Sequence, residues 1–282
     1  MKTYAILGYP VSHSFSPKLH NTVFKELQLT DREYVYCDTA PKDLQKRIHE
    51  MRKGAWDGFS VTIPHKKTVI PFLDELTERA QKVGAVNTIV RKVGAEGSVR
   101  LVGDNTDYVG FKKSLEEVGI TEGENSFPRP EAKALVLGSG GAAQAIIAVL
   151  ADHGFQVSVA SRNPAGARQG ASLQRGMAVT LGYDELDPKD NWKLIVNTTP
   201  VGMHPNVDAC VLTDPSWFTA DRTYVDIIYN PKTTQFLIQA KKAGAQIVCG
   251  DRMFLWQAVE QSRAFTGGME PPVKLMESLL CS

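Results

Sequence analysis

One stretch constrains this chain more than any other. The apolar run Ala134–Leu137 passes at once into Gly138-Ser139-Gly140-Gly141-Ala142-Ala143, and then into an Ala/Ile/Val/Leu-rich pattern reaching about His153. Strand, Gly-rich turn and helix in immediate succession form the opening of a βαβ unit. Units of that kind build a mostly parallel sheet with helices on its faces. The glycines let the backbone approach a pyrophosphate, and the helix N-terminus offers unpaired N–H groups at the positive end of its dipole. The spacing is G-x-G-G rather than G-x-G-x-x-G, so tight packing of strand on helix is the plain alternative.

The next apolar run, Phe155–Ala160, ends in Ser161-Arg162-Asn163. A unit that binds NAD places an acidic residue roughly 20 positions beyond the fingerprint, on the ribose 2′-hydroxyl. No acid stands here, and Arg162 lies 24 positions beyond Gly138. A guanidinium can pair with a 2′-phosphate and stack on adenine. The missing acid and the arginine together point to NADP, against the bland reading of a solvated arginine at a strand end.

Strand and helix alternate before this unit as well. Tyr4–Gly8, Glu33–Cys37 and Asp57–Ile63 read as strands. Ser16-Pro17 opens a helix to about Leu27, with Ser16 as N-cap. Pro41–Lys53 is helical, with Leu44, Ile48 and Met51 on one face. Asp74–Val83 reads as a helix stopped by Gly84, and Ala85–Arg91 and Ser98–Val102 as a strand pair. Asp107–Val118 is the next helix, and the polar segment Gly119–Lys133 reads as a connection. Beyond it, Leu194–Asn197, Tyr224–Ile228 and Gln246–Val248 continue the sheet, and two helices, about Arg252–Phe265 and Pro272–Leu280, close the chain. Ser172–Asp190 carries no clear signal.

A length of 282 residues exceeds a usual single domain, so two cores are expected. The 32 Lys and Arg against 31 Asp and Glu leave a net charge of +1, which is no footprint for nucleic acid or an anionic membrane. Four cysteines, Cys37, Cys210, Cys249 and Cys281, lie far apart without zinc spacing and read as free thiols. Six histidines form no metal-binding pair, so no metal is expected. No apolar run has the length of a membrane helix, and the N-terminus lacks the pattern of a signal peptide. A cytoplasmic location is the expectation.

Three polar clusters precede the Gly-rich turn. His13-Ser14-Phe15-Ser16-Pro17 puts two hydroxyls before a helix N-terminus, where a carboxylate is favoured, unless Ser16 merely caps. Thr62-Ile63-Pro64-His65-Lys66 puts an amine just past a strand end, a proton donor for carbonyl chemistry or only a surface lysine. Gly84-Ala85-Val86-Asn87-Thr88 and Gly103-Asp104-Asn105-Thr106-Asp107 place an amide and a carboxylate at element ends.

Taken in order, these motifs resemble the shikimate dehydrogenase family (shikimate and quinate/shikimate 5-dehydrogenases) over nearly the whole chain. The likeness runs through Gly8-Tyr-Pro10, His13–Pro17, His20-Asn21, Val61–Lys66, Gly84–Thr88, Asn105–Asp107, Gly110 and Gly138–Ala142. It continues through Asn197–Pro200, Gly202-Met203, Asp226, Tyr229-Asn-Pro231, Thr234, Gly250, Met253 and Gln257. The resemblance implies an α/β fold with an N-terminal substrate-binding domain, residues 1–106, to which the C-terminal helices, 251–282, return. Residues 107–250 would form a Rossmann-type NADP-binding domain. It implies NADP-dependent reduction of 3-dehydroshikimate to shikimate, a step of chorismate and aromatic amino-acid biosynthesis.

By position, Lys66 matches the family's catalytic lysine and Asp107 its carboxylate partner. Ser14, Ser16, Thr62 and Tyr229 match groups around the substrate carboxylate, and Asn87, Asp107 and Gln257 match groups on the ring hydroxyls. Gly138, Ser139, Gly140, Gly141, Ala142, Ser161, Arg162, Asn163, Pro164, Ala165, Gly166, Ile227 and Gly250 match NADP contacts, and Glu78 one more. A small-molecule substrate is the only partner implied, with the chain a monomer or a homodimer. Two departures stand out. Ser60 replaces a common Asn, and Arg168 is offset from the family's usual second arginine, so that it reaches a phosphate only if its loop is rearranged. Other readings are a quinate/shikimate dehydrogenase using NAD, a relative acting on an altered ring, and a binding protein without catalysis. Retention of Lys66 and Asp107 argues against the last.

Overall fold

The computed structural model describes residues 1–120, 132–170, 173 and 175–281; most of the connection read over Gly119–Lys133 therefore lies outside the described residues. The chain divides into two units, Met1–Thr106 with Gln257–Ser282, and Asp107–Trp256. Each is an α/β layer structure around one six-stranded sheet.

In the first unit the strands are β1 (Lys2–Gly8), β2 (Arg32–Asp38), β3 (Gly58–Val61), β4 (Glu75–Leu76), β5 (Thr88–Val93) and β6 (Val99–Asp104), in the order β2-β1-β3-β5-β6-β4. β1, β2 and β3 are parallel, whereas β5 runs antiparallel to both β3 and β6. The helix Leu44–Arg52 buries Leu44, Ile48 and Met51, the face its periodicity predicts, against Ala5, Leu7, Phe59 and Val61. The other face of the sheet is aromatic. Tyr4, Phe24, Tyr34 and Phe265 pack together, and the Tyr4 hydroxyl donates to the Phe265 carbonyl at 2.9 Å. Phe265 belongs to the helix Gly250–Thr266, which carries the chain back into this unit.

Two local expectations are corrected. The first helix, Ser16–Glu26, has Phe15 as its N-cap. Phe15 already has helical dihedrals, and the Ser16 hydroxyl meets Ser14 instead of capping. The helix expected from Asp74 begins at Glu78, because the Thr77 hydroxyl caps it by accepting from Ala80 N. The residues before it pair as β4 along β6. Gly84 then ends the helix at φ +67°.

The second unit contains β7 (Lys133–Leu137), β8 (Gln156–Ala160), β9 (Val179–Leu181), β10 (Trp192–Asn197), β11 (Thr223–Asp226) and β12 (Gln246–Val248). All are parallel, in the order β12-β11-β10-β7-β8-β9. β7 is apolar and buried from Ala134 to Leu137 because both of its faces are covered there. Ala134 and Val136 pack with Ile146, Ile147 and Leu150 of the helix Gly141–Asp152, while Leu135 and Leu137 pack with Tyr224, Phe236 and Leu237. Among the described residues no helix is long and apolar enough to cross a membrane, and no group of His, Cys, Asp or Glu is arranged to hold a metal ion.

Candidate functional site

The topology of the first sheet collects its polar motifs on one rim. β1 and β3 both end there, and because β5 is reversed it begins there, as the pairing Ser60↔Thr88 requires. β6, antiparallel to β5, returns to the same rim with Thr88↔Asp104. The segments after Gly8, after Val61, before Thr88 and after Asp104 are therefore neighbours. Backbone bonds stitch them together: Thr62 N to Leu7 O, Val61 N to Asn87 O, Asn87 N to Asp104 O, and Val86 N to Lys66 O at 2.7 Å.

These segments carry Ser14, Ser16, Thr62, Lys66 and Asn87 at or just beyond that rim. Ser14 Oγ lies 3.2 Å from Ser16 Oγ at the start of the first helix, and the Tyr36 hydroxyl holds the Ser14 carbonyl at 3.1 Å. Lys66 is half-buried in the short helix His65–Thr68. Beside it His65 is buried, with Nε2 2.6 Å from the Thr39 carbonyl, which anchors that turn to the end of β2. The Asn87 amide is oriented by Thr106: Oδ1 accepts from Thr106 N at 2.7 Å and Nδ2 donates to Thr106 Oγ1 at 2.9 Å. Thr106 opens the helix Thr106–Glu116, and Asp107, also buried, stands in its first turn.

Asp104 locks the same turn. Its Oδ1 accepts from Thr77 Oγ1 at 2.5 Å, Arg79 Nε at 2.7 Å and Asn105 N at 2.8 Å. Burial pushes the carboxyl up, but Arg79 and these donors outweigh burial and hold it below the usual carboxylate range. Gln257 is buried on the helix Gly250–Thr266. Gln261 is one turn on and shares its face. Glu78 is exposed in this same unit, whereas the Gly-rich turn belongs to the other.

In the second unit the strand order reverses between β7 and β10, the switch point where open α/β sheets take ligands. The Gly-rich turn leaves β7 there. Gly138 has φ +104°, and a Cβ on it would lie 2.7 Å from Thr198 Oγ1. Gly140 is the N-cap of the 12-residue helix Gly141–Asp152, and a Cβ there would face open space. A pyrophosphate fits this turn: room over Gly140, a backbone at Gly138 that residues with a side chain rarely adopt, and unpaired N–H groups at the helix start.

After β8, Ser161 Oγ lies 3.1 Å from Ser139 Oγ. Asn163 Oδ1 accepts from Gly166 N at 2.9 Å. Arg162 is exposed, and its charge tempers the rise that burial imposes on the Tyr183 phenol. Arg168 Nε donates to Thr180 Oγ1 on β9 at 2.8 Å, so the loop turns the second arginine toward the sheet edge.

Ile227 and Tyr229 follow β11. Tyr229 stacks on Phe254 at 4.4 Å, and burial pushes its phenol up. Gly250 packs directly on this segment: a Cβ would come within 2.5 Å of the Ile227 carbonyl carbon and oxygen. Sequence reasoning gave no role to the residues that hold the segment. Asp226 accepts from Thr234 Oγ1 at 2.6 Å, Asn197 Nδ2 at 3.1 Å and Ile228 N at 3.0 Å, while burial raises its carboxyl. All three side chains stand in motifs that carry the resemblance, but their pairing is tertiary.

The family model for the shikimate dehydrogenase substrate binding domain matches residues 6–89, and the model for the shikimate 5′-dehydrogenase C-terminal domain matches residues 252–281. A shikimate dehydrogenase (NADP+) of Carboxydothermus hydrogenoformans is 37% identical over 283 aligned positions, covering 99% of this chain and 96% of the relative. A shikimate dehydrogenase (NADP+) of Oleidesulfovibrio alaskensis is 41% identical over 268, covering 94% and 89%. The crystal structure of the shikimate 5-dehydrogenase of Thermus thermophilus in complex with NADP(H) and shikimate superposes with a TM-score of 0.82 at 33% identity, covering 100% of this chain and 99% of that one.

Proposed function

The chain belongs to the shikimate dehydrogenase family, and we propose that it catalyses the reversible NADP-dependent reduction of 3-dehydroshikimate to shikimate. The observation that carries this reading is the gathering of hydroxyls, an amide and one amine on a single sheet rim: Ser14, Ser16, Thr62, Asn87 and Lys66. That set suits a hydroxylated carboxylic acid bearing a ketone.

In this reading Ser14, Ser16, Thr62 and Tyr229 hold the substrate carboxylate. Asn87, Asp107 and Gln257 hold ring hydroxyls. NADPH, when bound, supplies the hydride for the ring ketone. Lys66 stabilises the negative charge that develops on the ketone oxygen and gives it a proton, and in the reverse direction takes that proton back. Asp107 is the carboxylate partner of Lys66. A lysine without such orientation is mobile, and a small misplacement is costly in rate. Gly138 through Ala142 take the pyrophosphate, Ser161 through Gly166 with Arg162 take the 2′-phosphate, and Ile227 and Gly250 shape the remaining contacts; Glu78 completes the set. No acid follows β8 to repel a 2′-phosphate.

The test is a set of initial rates for shikimate or quinate with NADP or NAD. Shikimate with NADP is expected to be fastest. Quinate or NAD dominating would move the reading to a catabolic quinate dehydrogenase. No rate in any pairing, from folded protein, would refute it.

A further inference from the structure

Gln261 has no part in the reading above, yet it is buried and its amide bonds residues of both β3 and β5 at this rim. Its Nε2 donates to the Asn87 carbonyl at 3.1 Å and to Thr88 Oγ1 at 3.1 Å. Its Oε1 accepts from Ser60 Oγ at 2.8 Å. Ser60 and Thr88 are cross-strand partners on β3 and β5, so one side chain from a helix far along the chain clamps two strands and the residue before the second.

The polarity of this cluster is forced. A backbone carbonyl only accepts, so the nitrogen end of Gln261 must face Asn87 O. The oxygen end then faces Ser60, whose single proton is committed to it, leaving Ser60 only lone pairs for anything else. Thr88 Oγ1, accepting from Gln261, keeps its own proton to donate to Asn87 Oδ1 at 2.9 Å. Thr106 N, which only donates, requires the same oxygen at the same place. Asn87 is thus fixed with oxygen inward and Nδ2 as its donor end. A rotated Asn87 amide would set its NH2 group against a backbone N–H and a hydroxyl whose proton points at it.

We propose that Gln261 is a positioning residue. Through the Thr88 hydroxyl it reinforces the Asn87 orientation that Thr106 sets, and it sets Ser60 as an acceptor, so that this cluster suits the hydroxyls of a polyol ring. This inference rests on the assignment of Asn87 to the substrate.

The experiment compares wild type with Gln261→Met, Thr88→Val and Thr88→Ser by steady-state kinetics and thermal melting. Gln261→Met keeps the length and removes every bond; Thr88→Val breaks only the relay; Thr88→Ser preserves it. We expect the KM for shikimate to rise at least tenfold in Gln261→Met and Thr88→Val, the KM for NADP to stay within twofold, and Thr88→Ser to resemble wild type. Because the two substitutions interrupt one relay, the double variant is expected to be no worse than the poorer single. A folded Gln261→Met or Thr88→Val with unchanged KM for shikimate overturns the proposal. So does a loss in Thr88→Ser equal to that in Thr88→Val. If Gln261→Met does not fold, the two Thr88 variants decide. Wild type inactive on shikimate would instead refute the functional reading itself.

Discussion

Replacing Gly250 with alanine puts one methyl group against backbone. The added Cβ would stand 2.5 Å from the carbonyl carbon and oxygen of Ile227 and closer still to the Ile228 oxygen. Ordinary carbon contacts lie near 3.5 Å, so roughly 1 Å of displacement is required. No side chain can rotate away, because each obstructing atom is main chain. Overpacking costs about 1–3 kcal/mol where side chains absorb it, and a site that must move backbone belongs at the upper end. At about 3 kcal/mol, a unit of this size should lose roughly 6–12 °C in Tm. The displaced segment carries both Ile227, proposed to contact the cofactor, and Tyr229, proposed to hold the substrate carboxylate, so the KM for NADP and the KM for shikimate should both rise. Gly140→Ala is the control. Its Cβ meets nothing within 4 Å, so stability should move by less than about 1 kcal/mol, while the methyl over the helix N-terminus still weakens NADP. Calorimetry and cofactor titration read both effects. Gly250→Ala with wild-type Tm and wild-type KM for NADP would refute the packing argument.

Lys66→Ala should lower kcat by roughly 10²–10⁴-fold with cofactor affinity within twofold, measured by steady-state rates and NADP titration; near-normal kcat would remove Lys66 from the chemistry. Arg162→Ala should cut kcat/KM for NADP about tenfold, in line with loss of a charge-assisted bond, and leave NAD unchanged. Arg168→Ala should do less, since Arg168 is engaged with Thr180. Asp104 has its folded-state pKa depressed by Arg79, so its contribution to stability is present above the unfolded value near 4 and is lost as pH falls through the lower folded value. The Tm difference between wild type and Arg79→Met should therefore be constant above about pH 5 and shrink as pH falls below 4; a difference independent of pH would contradict it.

The parts legible from sequence are those written locally. Leu44, Ile48 and Met51 mark a buried helix face by spacing alone, and β7 with its glycines marks a strand, turn and helix. The misreadings are equally local in cause. Ser16 looks like a cap by type and position, but Phe15 already adopts helical dihedrals and the hydroxyl finds Ser14. Glu75–Leu76, read as part of a helix from Asp74, becomes an edge strand because β6 offers it a ladder. β9 is only three residues long, and its pairing with β8 alone defines it within Ser172–Asp190. Gln261 stands one turn beyond Gln257 on a face already marked, yet its partners Ser60 and Asn87 lie 201 and 174 positions away. No local pattern carries such a contact.

The first unit is discontinuous in the chain, and that has a consequence for synthesis. Phe265 closes its aromatic core, Ser262 bonds the buried His20 ring at 3.0 Å, and Gln261 joins β3 to β5. All three leave the ribosome long after β1–β6. The second unit is one uninterrupted stretch, Asp107–Trp256. Vectorial translation, which ordinarily favours the N-terminal domain, here delivers a complete second unit while the first still lacks its closing helix. A chain truncated after residue 256 should present a protease-resistant second unit and a still-cleavable first one.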